Sequence, residues 1–297
     1  MGIFGGWRKN LYKNVYNIKN VCIFAAMKNC WLIVLSMVTV SVLAGCSGTS
    51  KLVKSNDYDA KYEAAVRFYE EGSYSKAIQL FENLSMHYRG RDYSENISWY
   101  YGQSLLKEKD YYTAAYQFKN FVRQFPYSVH VEEAMFLSAY CKYMDSPEYT
   151  LDQTVTREAI TEFEQFSDKY PQSVHIPEVN GYLDEMRGKL MMKDYEIAYG
   201  YYRIQSYHAA YVALQSFLNY YPDSPKREEA MYYMLKSGYE YAINSKEDKV
   251  KERLQLVVND FDKFASSFTD SKYMANAQGI YSKSKAALAK IEAGEKQ

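Results

Sequence analysis

Cysteine is scarce and poorly placed for cross-linking. Of the four in this 297-residue chain, Cys22, Cys30 and Cys46 fall at the N-terminal end, which leaves Cys141 alone in the rest. No internal disulfide framework is available, so the body must stand on a packed core. Acidic residues are absent from the first 45 positions, which carry Arg8, Lys9, Lys13, Lys19 and Lys28. A long apolar run is also missing, because Trp31 to Ala44 falls short of the roughly 20 residues a spanning helix needs. Charge of one sign is not in excess: 36 basic residues face 36 acidic ones, and removal of the N-terminal five leaves 31 against 36. A nucleic-acid partner is therefore not expected.

The motifs of chemistry are missing as well. No HExxH, paired CxxC, GxSxG or glycine-rich phosphate loop occurs. His130 and His175 each follow a Pro-x-Ser-Val phrase, a repeated place that marks helix starts, while His87 and His208 lack a metal-ligand spacing partner. Glu132-Glu133 and Glu228-Glu229 sit where acids favour a first helical turn. Cys141 lies on an apolar helix face as inert core. The expectation is a protein that is not an enzyme, with no catalytic residue, cofactor or metal.

What is present begins with an export signal. A basic flank, a short apolar run and small residues form the layout of a secretory signal peptide over 1–45. Met27-Lys28, directly before the apolar run, marks the expected translation start. The signal ends in Leu43-Ala44-Gly45-Cys46, which resembles the lipobox of bacterial lipoproteins. That resemblance implies cleavage before Cys46 and acylation of its thiol, palmitate included, which would tie the chain to a lipid bilayer. One acyl chain binds weakly and two or more anchor stably. Residues 46–56 then read as a lipidated tether, at most about 35 Å long if extended.

The body repeats one phrase. It reads Phe118, Phe121, Phe125, Pro126, Ser128; then Phe163, Phe166, Tyr170, Pro171, Ser173; then Leu214, Phe217, Tyr221, Pro222, Ser224. A fourth copy, Phe261, Phe264, Phe268, Thr269, Ser271, lacks the proline. Apolar residues at i, i+3 and i+7 mark one helix face, and proline is expected to stop that helix because it cannot continue the hydrogen-bond ladder. Upstream stand small residues such as Ala65, Ala77, Gly102, Ala114, Ala198 and Ala210. Small residues let paired helices approach, and the pattern resembles the tetratricopeptide repeat. The expected fold is all-α: a right-handed α-solenoid of five tetratricopeptide-like helix pairs plus a C-terminal helix. The pairs fit 57–90, 93–127, 129–172, 175–223 and 225–270, with a final helix at 271–292 and a polar tail at 293–297. Met144 to Thr156 is an insert within unit three, broken at Ser146-Pro147, and unit four lengthens its first helix from Ile176 to Arg203.

Most of the 33 tyrosines and 14 phenylalanines fill packing positions. In such arrays the first helix of each pair lines the concave surface, at positions offset from the packing ones. Those positions hold Tyr62, Tyr69, Trp99, Phe136, Tyr140 and Tyr143, and further on Tyr195, Tyr199 and Tyr202. An aromatic-lined groove suits an extended peptide; the alternative is that these rings pack between adjacent units.

Lipobox, tether, five repeats and a terminal helix together resemble the BamD family, lipoproteins of the machinery that assembles β-barrels in bacterial outer membranes. The resemblance is most specific over Glu133-Ala-Met-Phe-Leu, Leu151-Asp152-Gln153 and Tyr170-Pro171-Gln-Ser173, and over Ala209-Ala-Tyr-Val-Ala213 to Tyr221-Pro222-Asp-Ser224. It implies a non-catalytic scaffold on the periplasmic face of the outer membrane. The N-terminal units, 57–172, would receive unfolded outer-membrane proteins in a groove of Tyr62, Tyr69, Trp99, Phe136, Tyr140 and Tyr143. The C-terminal part, 173–292, would dock a BamA-like β-barrel insertase. Two other readings stay open: a tetratricopeptide lipoprotein of another envelope or cell-division complex, and a glycan-binding surface lipoprotein.

Overall fold

The computed structural model describes residues 46–88, 90 and 92–294. The expected signal peptide and residues 295–297 of the tail lie outside them. The described residues form twelve α-helices and no strand. They divide into two compact units, with the boundary between Ser128 and Val129.

The first unit contains α1 (Cys46–Lys54), α2 (Tyr58–Glu70), α3 (Tyr74–His87), α4 (Ser94–Lys107) and α5 (Tyr111–Gln124). The second contains α6 (Val131–Asp145), α7 (Thr154–Lys169), α8 (Ile176–Arg203), α9 (Tyr207–Tyr220), α10 (Arg227–Ile243), α11 (Glu247–Ser267) and α12 (Met274–Gly294). Within each unit, helices from α2 onward pack on their neighbours in chain order, and the first helices of successive pairs also touch, as α2 does α4 and α8 does α10. This is the stacking of a tetratricopeptide-like α-solenoid. All five expected pairs form, including the fifth, whose phrase has lost its proline.

The repeated phrase ends its helix in one fixed way. Phe125, Tyr170, Tyr221 and Phe268 are the C-caps of α5, α7, α9 and α11, with φ of −126°, −128°, −126° and −139° and ψ of 61°, 60°, 66° and 65°. Each cap N–H still donates to the carbonyl four residues back. Since the copy with Thr269 stops as the others do, proline is not required for this ending and only reinforces the stop. The serine has its own task. Ser173, Ser224 and Ser271 accept, on Oγ, the backbone N–H two residues on, at 3.3, 3.0 and 3.0 Å. Serine hydroxyls thus satisfy donors where the next helix begins.

The turn inside a pair is also repeated. Gly72, Lys109 and Gln205 adopt positive φ of 73°, 65° and 62°. Beyond them Ser73, Asp110 and Ser206 donate to Phe68, Leu105 and Tyr201 at 2.8, 3.0 and 2.9 Å, the long closing bond of a Schellman motif. Close approach sets the pairing. A Cβ on Gly102 would stand 2.8 Å from the buried Phe118 ring, so α4 and α5 meet only because that residue is glycine. Gly238 makes the equivalent concession to Tyr211 and Val257 in the fifth pair.

Within the stretch read as a lipidated tether, 46–56, the chain is helical over Cys46–Lys54. Leu52 and Val53 pack against the core of Ala65, Leu80, Phe81 and Leu84, and Thr49 is buried. The physical reason is that the first pair of a solenoid exposes an apolar flank, which α1 covers. Nine helical residues rise about 14 Å, far less than the extended length.

Candidate aromatic interface

The aromatic residues chosen from sequence lie on the first helix of each pair, and the structure sorts them. In the first unit, Tyr62 lies 5.0 Å from Tyr93, and Tyr69 lies 5.1 Å from Tyr100 of the next pair. Both are half-buried, and burial of the ring pushes the hydroxyl pKa of each upward. Trp99 turns inward, with its ring 5.8 Å from Phe118 and 5.5 Å from Phe121. It belongs largely to the packing between α4 and α5.

In the second unit, Phe136 is only 6% exposed. Its ring packs on Phe163 and Phe166 of α7, and His175 stacks on it at 4.0 Å. Phe136 is therefore core rather than lining, which corrects its assignment to the groove: its position faces α7. Tyr140 and Tyr143 remain half-exposed beside Tyr182 of α8, at 5.8 and 4.4 Å. The Tyr143 hydroxyl donates to Glu185 at 2.6 Å; that bond to a carboxylate, then burial, pushes its pKa up to about 12.

Along α8, Tyr195 is buried against Phe217, while Tyr199 and Tyr202 meet Tyr233 of α10 at 4.6 and 4.9 Å. Tyr232 stacks on Tyr273 at 4.4 Å, continuing from α10 to the start of α12. The same relationship thus recurs between first helices, Tyr69 with Tyr100, Tyr143 with Tyr182 and Tyr202 with Tyr233, and Tyr232 with Tyr273 extends it to the residue before the terminal helix. Each pair joins one repeat to the next and leaves a ring edge at the surface. Edge-to-face and offset ring pairs of this kind contribute about 0.5–1.5 kcal/mol beyond burial. The rings therefore both hold the stack and supply its accessible aromatic edge.

Tyr100, Tyr182 and Tyr233 were missed in the sequence, although each occupies the same kind of first-helix position as those named. His175 was placed at a helix start, and it does cap α8. Its ring goes further, with Nε2 3.0 Å from Glu133 of α6. The insert of unit three is held as firmly. Lys189 donates to Ser146 Oγ at 2.8 Å and Lys193 to the Leu151 carbonyl at 2.7 Å. Fully buried Gln153 donates to the Glu148 and Leu151 carbonyls and accepts from Thr156. Cys141 is buried and its thiol pKa is pushed up to about 12 by burial, which suits inert packing rather than nucleophilic chemistry.

A family described as outer membrane lipoprotein (YfiO) matches residues 54–251 and 192–294, nearly all the described helices. The chain belongs to this family. It is similar to the outer membrane protein assembly factor BamD of Haemophilus influenzae, 22% identical over 250 residues that cover 80% of this chain and 91% of that protein. Similarity to BamD of Helicobacter pylori extends over 167 residues at 21% identity, 55% of this chain and 73% of the relative. Among the described residues no helix is long and apolar enough to cross a membrane.

Proposed function

We propose that this chain is a non-catalytic scaffold of outer-membrane protein assembly, anchored by lipid on Cys46 at the periplasmic face. In this reading it receives unfolded outer-membrane proteins and presents them to a BamA-type insertase. The observation that carries the reading is membership of the lipoprotein family across 54–294, with relatives that are named assembly factors. The sequence Leu43-Ala44-Gly45-Cys46 supports the acylated anchor. In the first unit the accessible edges of Tyr62 and Tyr69, and in the second those of Tyr140, Tyr143 and Tyr182, each suit an extended polypeptide, because tyrosine offers large contact area at low entropy cost. Phe136 stacks behind Tyr140, with ring centroids 6.0 Å apart, and Trp99 packs inward on Phe118 and Phe121. The C-terminal part, 173–292, is assigned to the insertase.

Depletion of the protein in its native host tests the assembly role. Folded outer-membrane β-barrels, followed by heat-modifiable gel mobility, are expected to fall while inner-membrane proteins hold steady. Unchanged barrel levels would remove the proposal. Mass spectrometry of the mature N-terminal peptide tests the anchor separately, since a triacylated Cys46 is expected and Cys46→Ala should release the chain from the membrane fraction.

A further inference from the structure

The repeats serve as controls for one another, and α8 is the helix that outruns its cover. Counted from the phrase serines Ser173 and Ser224, Val179, Leu183 and Met186 of α8 stand level with Ala230, Met234 and Ser237 of α10. All six are buried. For α10 the second helix of the preceding pair, α9, supplies the cover, with Ala230 and Met234 packed beside Leu214 and Phe217. For α8 the helix alongside is α7: Phe163 lies 5.6 Å from Tyr182, and Arg187 donates to Glu164 at 2.8 Å. The lengths differ, however. α9 and α10 have 14 and 17 residues, whereas α7 has 16 and α8 has 28. α8 therefore runs on past the start of α7 by about 18 Å.

The apolar stripe runs on with it. Ile197, Tyr201 and Ile204 continue the helical spacing of the buried face. They are 50%, 39% and 72% exposed, while Tyr195 and Ala198 on the other side of the same turns are buried beside Leu214 and Phe217 of α9. Charged groups at the edge of the stripe are already engaged. Lys193 donates to the Tyr149 and Leu151 carbonyls, and Asp194 accepts from the Tyr221 hydroxyl. Asp152 accepts the Thr154 N–H, with Lys193 and Arg157 close by. Fit rather than charge therefore selects what binds here.

We infer that this overhang of α8 is a docking site for an amphipathic helix of a partner protein, which lies where a longer α7 would lie. The exposed stripe is continuous with the α7–α8 interface, so its step has the dimensions of the helix that fills the first half: about 10 Å deep and about three turns long. An apolar helix face laid into such a groove at i, i+3, i+4 and i+7 is a recurrent mode of recognition. A bilayer is flat and does not follow a step of that depth beside α7. The inference does not draw on the assignment of 173–292 to an insertase, which concerns the identity of a partner and not the form of the segment bound.

Photocrosslinking in native cells, with the full chain and p-benzoylphenylalanine at Ile197 or Ile204, tests the inference. Gln215, exposed on α9 and off the stripe, is the control position. Ile197 and Ile204 stand about 10 Å apart along the helix axis. The expected result is one partner protein crosslinked at both positions and not at Gln215, through partner residues about seven apart, as a helix alongside requires. Ile197→Glu with Ile204→Glu should cut the crosslink from p-benzoylphenylalanine at Tyr201 at least tenfold without changing helicity by circular dichroism. Partner residues about three apart would mean an extended segment and would overturn the inference. Crosslinks to phospholipid or to a second copy, a crosslink that survives the double substitution, or no protein captured at either position would overturn it as well.

Discussion

The hydroxyl of Tyr211 on α9 donates to the buried carboxylate of Asp260 on α11 at 2.8 Å, while its ring lies 3.1 Å from the point where a Cβ would stand on Gly238 of α10. Three consecutive helices of the second unit meet at this bond. Burial raises the Asp260 pKa, and the Tyr211 bond and Lys263, 3.5 Å away, offset part of that rise. A carboxyl raised in the folded state binds more protons folded than unfolded through the acidic range. Its ionisation therefore costs stability as pH rises through that range, and acidification relieves the cost.

Asp260→Asn keeps an acceptor for Tyr211 and removes the desolvated charge. At pH 7 it is expected to match or exceed the parent in stability, and its urea midpoint should depend less on pH between about 4 and 6. Tyr211→Phe strands the carboxylate and should lower stability by about 1–3 kcal/mol. A stabilising Tyr211→Phe would show that the bond contributes nothing.

Gly102→Ala drives a methyl into the ring of Phe118, which has no space to retreat within the buried core. A loss of about 1–3 kcal/mol is expected, as for other overpacked sites. Gly181→Ala, where nothing stands within 4 Å of the new Cβ, is the companion measurement and should be neutral or stabilising by a few tenths of a kcal/mol. Equal effects at the two positions would refute the close-approach account of the α4–α5 pair.

Lys109 and Gln205 hold the left-handed turn that Gly72 holds without strain. Both are exposed, so glycine there costs no packing. Lys109→Gly and Gln205→Gly should each raise the thermal midpoint, with about 0.5–1 kcal/mol gained. Gly72→Ala should fall by a similar amount or more. Calorimetry on the mature chain checks the three together.

The insert of the third pair is fixed by side chains from a later helix, Lys189 and Lys193 of α8. Lys189→Met with Lys193→Met should speed amide exchange across 146–153 by tenfold or more, with little change in the global unfolding midpoint. Unaltered exchange in that segment would mean that Gln153 alone holds the loop.

Much of the array was legible because its determinants are local. A phrase such as Phe163, Phe166, Tyr170, Pro171, Ser173 states a helix face, its end and the start of the next helix within eleven residues, and periodicity alone reads it. The length of α8, from Ile176 to Arg203, was also plain from its apolar spacing and from Pro177 at its first turn. The proline was credited with too much, since Phe268 ends α11 in the same geometry without one. Residues 46–56 read as a tether from their Ser, Lys and Gly content, and the helix within them was not foreseen; α1 packs Leu52 and Val53 on the flank of the first pair.

The aromatic surface divides the same way. The sequence by itself determined which helices carry the rings, because that follows from spacing along one strand of chain. Only the tertiary structure decided which rings are accessible, burying Phe136 beneath His175 and pairing Tyr143 with Tyr182. The physical reason is that accessibility depends on what the next helix brings, tens of residues away, and on whether a glycine such as Gly102 or Gly238 lets that helix come close.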